Sequence, residues 1–551
     1  MDTREQVAQH RWCYLCIALA IAVNCSGLDI PILGPDAAVY AVIAKTMVQR
    51  HNYLELFVHG HDWLDKPHFP FWLTALSFRL FGFHTWAYKL PAILCLLMGA
   101  WYTYLFAKQF YTRQVALWSV LILLTAEHII LSNNDVRAEP YLTGLVIAAV
   151  YAFSRGQRTK KCWPLLLGAG FTACAIMTKG LMALIPIGGA LAGELVLTKQ
   201  WKDLWHIRWL CAALVILLGI TPELYCLYHQ FDAHPDKVVF GRTGVSGIRF
   251  FFWDSQFGRF MNTGPIKGQG TPMFFLHTAL WAFLPWSAFL YVAVFTRLKT
   301  YWRKEQVEGE KYTISGSLLT FLVFSASRFQ LPHYLNILFP FWAILTAQYL
   351  SQVTSPGGLR FLTVMHFSMI SFFFLLLLLI HLLCRPDPIA WWIWMLVSGL
   401  VVLLLYSGRL CRAEAKHRLV SQMALAAIAF NCYLNLGIAP SLLQYQAGSE
   451  AAFYSNKYYP GIPVIQVESH ASVPLAFYLE QPLTTIQHLT DTATLSQRPY
   501  LLYAPVEELQ GVQGELVHTF AFFPVSRLTL PFLYYKTRPQ VTQAYGLLFI
   551  Q

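Results

Sequence analysis

As far as about Ile438, apolar runs recur along the chain, the longer of them roughly 18–25 residues and so able to cross a hydrocarbon core of about 30 Å. The first runs from about Trp12 to Leu33, and others centre on Tyr88–Ala107, Val115–Leu131, Tyr141–Phe153, Trp163–Met177, Leu181–Leu197 and Trp209–Leu224. Further runs cover Met273–Thr296 and Ile314–Phe324, a segment ending near Leu350, two segments flanking the turn RPDP, and Met423–Ile438. Two apolar pieces behave differently. Asp36–Met47 sets Val39, Val42, Ile43 and Met47 at helical spacing, which predicts a short amphipathic helix lying in the membrane interface. Phe69–Phe83 is short and carries Arg79, so it reads as a second interfacial or re-entrant piece. The pattern therefore predicts a polytopic α-helical membrane protein with about thirteen transmembrane helices.

From about Ala439 the pattern changes to short strand-like runs (IPVIQV, YLLYA, LVHTFAFF, FLYYKT, GLLFI) separated by polar segments with proline and glycine. They predict an external α/β domain of roughly 110 residues, large enough for its own core. The expected division is 1–438 for the membrane domain and 439–551 for the external one.

Composition agrees with the pattern: 56% of residues are hydrophobic and only 12% charged. A soluble domain carries about twice that charged fraction. The 40 Lys and Arg outnumber 28 Asp and Glu, for a formal net charge of +12. In a soluble protein this excess would suggest a nucleic-acid partner. Here the basic residues gather in short loops and report orientation instead, so no nucleic acid is expected. Arg4 and Arg11 precede the first span, and SRGQRTKK holds Arg155, Arg158, Lys160 and Lys161 without an acid. Lys199, Lys202 and Arg208 follow, then Arg297, Lys299, Arg303 and Lys304, and then Arg409, Arg412, Lys416 and Arg418. With about thirteen crossings all these loops fall on one side, giving a cytoplasmic N-terminus and an external C-terminal domain. A full crossing by Phe69–Phe83 would put SRGQRTKK outside. The first apolar run is too long for a signal-peptide core and has no small-residue cleavage site, so it reads as an uncleaved span. Cys13 and Cys16 open that span without a second pair, and the 11 cysteines read as inert thiols.

The chemistry-bearing residues lie at span ends on the outer side. Asp36 begins the stretch Gly34–Trp72, which also holds the Asp65–Lys66 pair; Asp135 stands with Arg137 and Glu139, and Asp254 with Arg259. Charge at membrane depth is costly and marks function by default, whereas a single loop charge can rest in headgroup water. Four sets converging on one face favour a site for an anionic, lipid-linked substrate.

In these residues the chain resembles the lipid-dependent GT-C glycosyltransferases, a family that includes the bacterial lipid A aminoarabinose transferases and the protein O-mannosyltransferases. The family's first loop, DE-x-RYA, corresponds to Asp36-Ala37-Ala38-Val39-Tyr40-Ala41, and its E-KP-x-x-x-YW block to Asp65-Lys66-Pro67-His68-Phe69-Pro70-Phe71-Trp72. Asp254 and Arg259-Phe260 match the acid and Arg-Phe of the second outer loop, and Gln330-Leu331-Pro332-His333-Tyr334 loosely matches K-L-P-x-Y. Ala37 and Val39 stand where the family has an acid and an arginine, and Arg328 and Gln330 where it is lysine-rich. These departures leave room for a sugar or acceptor other than aminoarabinose and lipid A.

The resemblance implies transfer of a sugar, with inversion, from a polyprenyl-phosphate donor to a glycolipid, glycan or protein acceptor at the bilayer surface. Asp36 would be the base and Asp135 the second acidic site. Lys66, Arg259 and Tyr334 would hold the phosphate, with Tyr40 as a further substrate-binding residue of the first-loop motif. Asp65 and Asp254 match positions near a metal in some members, where carboxylates suit Mg²⁺ or Mn²⁺. Zn²⁺ through His59, His61 or His68 is the alternative, against the plain reading of these histidines as interfacial polar groups. The rival from another class is a transporter or flippase for a lipid-linked or anionic solute. A transporter should show related halves and charges at the midplane, and no repeat stands out here. A non-catalytic polysaccharide-assembly subunit is the third reading.

Overall fold

The computed structural model describes residues 3–303, 309–410, 415–490 and 498–551. Lys304 and Arg412 of the basic loops lie outside the described residues. The chain opens with α1 (Thr3–Cys25), followed by two short helices, α2 (Asp36–Gln49) and α3 (Phe69–Phe81). The long α4 (Thr85–Phe110) leads to α5 (Arg113–Leu124) and α6 (Glu127–Asn134), then α7 (Glu139–Thr159) and α8 (Cys162–Lys179). Next come α9 (Leu184–Leu197), α10 (Ile207–Gly219) and α11 (Thr221–Leu227). Later apolar helices include Ser287–Trp302, Tyr312–Ala326, Phe339–Gln352, Pro356–Cys384, Trp391–Leu410 and Ala415–Tyr433.

Among the described residues six helices are long and apolar enough to cross a membrane, or seven if α5 and α6 form one span bent by 49°. The sequence pattern predicts about thirteen because it reads through breaks that split a run into shorter helices. The α5–α6 bend shows the cause. It frees the Glu127 N–H from the helical ladder, and that group donates instead to the Leu284 carbonyl at 3.0 Å. α1 also ends earlier than its apolar run. Buried Lys89 donates to the carbonyls of Gly27 (2.8 Å) and Ile30 (2.7 Å), which satisfies a non-helical exit. α2 and α3 form where interfacial helices were expected. At 13 residues, α3 is too short to span.

The helix α7 is buried along most of its length and crosses α4 closely. A Cβ on Gly144 would stand 2.0 Å from the Cys95 carbonyl oxygen, and one on Gly99 would stand 2.8 Å from Gly144 Cα. Small residues let two backbones meet in this way inside a bilayer. This crossing fixes the start of α7, where Glu139 sits.

Two sheets occur among the described residues. β1 (Phe57–Val58) and β2 (His61–Asp62) form a small hairpin in the first outer loop. Beyond Ala439, β3 (Val464–Val467), β4 (Leu483–Ile486), β5 (Tyr500–Pro505), β6 (Glu515–Phe522) and β7 (Gln543–Ile550) build a mixed sheet in the order β4-β3-β5-β7-β6. Four of the five strand-like runs hold strands. FLYYKT does not: Pro531 starts a helical turn at Leu530–Leu533, and the Arg538 side chain takes the carbonyls of Phe532 (2.9 Å) and Cys384 (2.7 Å). β4 replaces it at the opposite edge.

The sheet region is fastened to the first outer loop. Gln446 accepts from the Gly34 N–H and donates to the Ile32 carbonyl, each at 2.9 Å. Lys45 of α2 is buried and donates to the carbonyls of Ala476 (3.1 Å), Phe477 (2.7 Å) and Leu479 (2.9 Å), capping the helix Val473–Tyr478.

Candidate active site

The loop between α2 and α3 is held by its own polar groups. The His68 N–H donates to Glu223 at 2.9 Å, and the imidazole Nδ1 lies 3.1 Å from both carboxylate oxygens. Trp72 Nε1 donates to the Tyr53 carbonyl at 2.9 Å. Glu223 lies on α11 and is fully buried, so one acid anchors this loop to the end of an apolar run. The segment between β2 and His68 is thereby fixed, and it carries Asp65 and Lys66.

Lys66 Nζ donates to Asp65 Oδ2 at 2.5 Å, and Arg259 donates to the other oxygen of the same carboxylate. Arg259 leaves the wide π-type helical stretch Phe250–Gly258. These residues line a cavity that also takes in Glu139, Lys179 and Tyr334. Lys179 pairs with Glu139 and lies 3.7 Å from the centre of the Tyr334 ring, while His333 approaches Glu139 at 3.7 Å. Most of the remaining wall is apolar and includes Leu142, Phe250, Phe251, Val323 and Phe329, with Glu223, Ser255, Gln256 and Ser327 as its polar members. Arg259 Nε is buried with no hydrogen-bond partner among the described residues, leaving a donor free for an incoming anion. Burial works to raise the Asp65 carboxyl, but Lys66 and Arg259 overcome it and hold the group at about 2.

A second cluster stands beside the first. Arg137 donates to Asp36 at 2.6 Å and to Asp135 at 3.0 Å, so one guanidinium bridges the two acids. The Asp36 side chain is 55% exposed, the most accessible carboxylate of the two clusters. Burial lifts the Asp135 carboxyl above its usual range even though Arg137 pulls the other way. Glu139 lies two residues beyond Arg137 and connects this cluster to the cavity wall. So does Tyr40, one helical turn after Asp36, whose ring packs edge-on against Trp63 and Phe71 at 6.2 and 5.1 Å. Burial drives the Tyr40 hydroxyl well above the ordinary tyrosine range, and the Asp65 and Glu139 charges add to the rise.

The structure thus brings Lys66, Arg259, Tyr334 and Asp65 into one cavity and sets Asp36 and Asp135 around Arg137 beside it. Tyr40 lies buried between the two clusters rather than in the cavity wall. Asp254 does not join them. It faces Arg249 at 3.7 Å, although its neighbours Ser255 and Gln256 line the cavity. The divalent-cation reading does not fit these residues. Asp65 is already engaged by two cations, and among the described residues no three His, Cys, Asp or Glu side chains gather in ligating geometry. Sequence reasoning placed Glu139 in an outer charge set without assigning it a role, and it left out Lys179 and Glu223. In the sequence these two are only single charges at the ends of apolar runs, the one signal that could have flagged them.

A family model described as dolichyl-phosphate-mannose-protein mannosyltransferase matches residues 65–226. Over 334 residues the chain is 27% identical to an undecaprenyl phosphate-alpha-4-amino-4-deoxy-L-arabinose arabinosyl transferase of Edwardsiella ictaluri, covering 59% of this chain and 56% of the relative. The enzyme of the same name from Shewanella sediminis is 25% identical over 57% of this chain and 55% of its own length. The matched stretch thus spans little more than half the length of these relatives. The crystal structure of ArnT from Cupriavidus metallidurans bound to undecaprenyl phosphate superposes with a TM-score of 0.72 at 19% identity, covering 97% of this chain and 98% of that one. The fold is therefore that of ArnT, and in fold and sequence together the chain resembles the GT-C glycosyltransferases of the aminoarabinose-transferase kind.

Proposed function

We propose that the chain is an inverting glycosyltransferase that moves a sugar from a polyprenyl-phosphate donor to a glycolipid, glycan or protein acceptor at the outer face of a bacterial inner membrane. One observation carries this reading: the cavity sets Lys66, Lys179 and Arg259, with their partner acids Asp65 and Glu139, against an aromatic and aliphatic wall. That pairing suits an amphiphile with an anionic head. In the reaction Asp36 takes the proton of the acceptor hydroxyl. The new bond to the anomeric carbon forms as its bond to the phosphate oxygen breaks, and Lys66 and Arg259 neutralise the departing lipid phosphate. Tyr334 closes the phosphate side, and Asp135 and Arg137 orient the base.

The architecture that goes with this is about thirteen crossings with a cytoplasmic N-terminus, in which the broken helices and the short ones other than α2 and α3 count as spans. Residues 439–551 form the periplasmic domain. The alternating basic loops support this arrangement.

The test uses the purified full chain in nanodiscs with a panel of polyprenyl-phosphate sugars and envelope acceptors, read by mass spectrometry. Lys66→Ala is expected to weaken undecaprenyl phosphate binding by about 10- to 100-fold. Asp36→Asn is expected to bind the lipid normally and to lose turnover by a factor of at least about 100. Unchanged lipid affinity in the first variant, or near-normal turnover in the second, removes the corresponding assignment.

A further inference from the structure

The helix Ala447–Tyr458 buries Ala447, Ser449, Ala451, Ala452 and Ser455 and turns another stripe outward. On that stripe Glu450, Phe453, Tyr454 and Lys457 recur at three- and four-residue spacing, so their side chains share a face. Facing them is β6, an edge strand of the sheet, and an open groove runs between the two. Its floor is aromatic. Tyr454 and His518 stack at 4.5 Å and 14°, and Phe520 meets them edge-on at 5.9 and 4.8 Å. Phe453 is 41% exposed beside them. The rim is polar and carries both signs of charge, with Gln444, Glu450 and Lys457.

Flat rings below and mixed hydrogen-bonding groups around suit a sugar, whose C–H face lies on an aromatic ring while its hydroxyls reach the rim. The other ligand such a strand invites is an extended peptide pairing with the sheet edge. β6 is closed to that. Its register slips between Leu516 and His518, a bulge that breaks the edge, and the Tyr454 hydroxyl donates to the Val517 carbonyl at 3.4 Å. An added strand would find that acceptor already taken.

We propose that this groove binds a saccharide and serves to hold the glycan portion of the acceptor. Gln446, at the head of the same helix, bonds Ile32 and Gly34, so the groove is tied to the chain two residues before Asp36. The acceptor role rests on the transferase reading, whereas the binding itself does not.

Saturation-transfer NMR on the full chain in nanodiscs, with an N-acetylglucosamine disaccharide, maltose and the tetrapeptide Ala-Val-Ala-Val as probes, tests it. At least one disaccharide should receive magnetisation. His518→Ala and Phe453→Ser should each cut that response about fivefold, and exposed Lys457→Gln, which gives up only a surface contact with the Tyr458 ring, should weaken it about twofold. Lys66→Ala should leave it unchanged. No response to either disaccharide, a response that survives all three groove substitutions, or a response to the tetrapeptide alone overturns the proposal. Saccharide binding that persists in a chain unable to transfer any sugar overturns the transferase reading and not this one.

Discussion

Arg137 is the residue on which the acidic cluster turns. Among the described residues it is the one cation bonded to both Asp36 and Asp135. Arg137→Met should leave two neighbouring carboxylates uncompensated and disorder the proposed base while Lys66 and Arg259 stay in place. Turnover should fall by about 100-fold with lipid affinity changed by less than about threefold, measured by steady-state kinetics beside equilibrium binding. The Asp65 carboxyl, held at about 2, gives a pH prediction. In the unfolded chain it titrates near 3.9, so its stabilising contribution is complete above that value and is lost as pH falls from about 4 towards about 2. Undecaprenyl phosphate binding should therefore be flat, as far as this group is concerned, from about pH 8 to about pH 5. Isothermal titration across that range checks it. The motif residues Asp36, Lys66, Arg259 and Tyr334 were legible in the sequence because each sits in a short pattern next to a span end. Lys179 and Glu223 were not, because one charge at the end of an apolar run looks the same whether it faces a cavity or headgroup water. Asp254 shows the other side of this: its spacing to Arg259 fits the family, and the spacing carries no sign that the π-type stretch sets it beside Arg249.

At the scale of elements, the apolar pattern located most of the long helices within a few residues but could not see where they break. The α5–α6 bend follows from a carbonyl on a distant segment accepting the Glu127 N–H, and no local periodicity encodes that partner. FLYYKT misled for a similar reason. Its composition suits a strand, yet Pro531 and the distant Cys384 carbonyl settle it as a turn capped by Arg538. The α4–α7 crossing gives the element-scale prediction. Gly144→Leu has no room against the Cys95 backbone and must push α7 outward, at a cost of at least about 1–3 kcal/mol. Since α7 begins at Glu139, lipid affinity should fall along with the thermal midpoint in nanodiscs. Gly170→Ala, whose Cβ meets nothing within 4 Å, should change neither.

For the molecule as a whole, the membrane part and the sheet region were both foreseen, but the way they are joined was not. Nothing in the local pattern marks Lys45, and its three acceptors lie more than 400 residues away. Lys45→Met strips those carbonyls of their donor, at about 1–3 kcal/mol, and amide exchange over Val473–Leu479 should quicken by about tenfold or more. With the sheet region held at both Lys45 and Gln446, it is joined to the first outer loop at two points, so a group carried on the sheet keeps its place relative to Asp36.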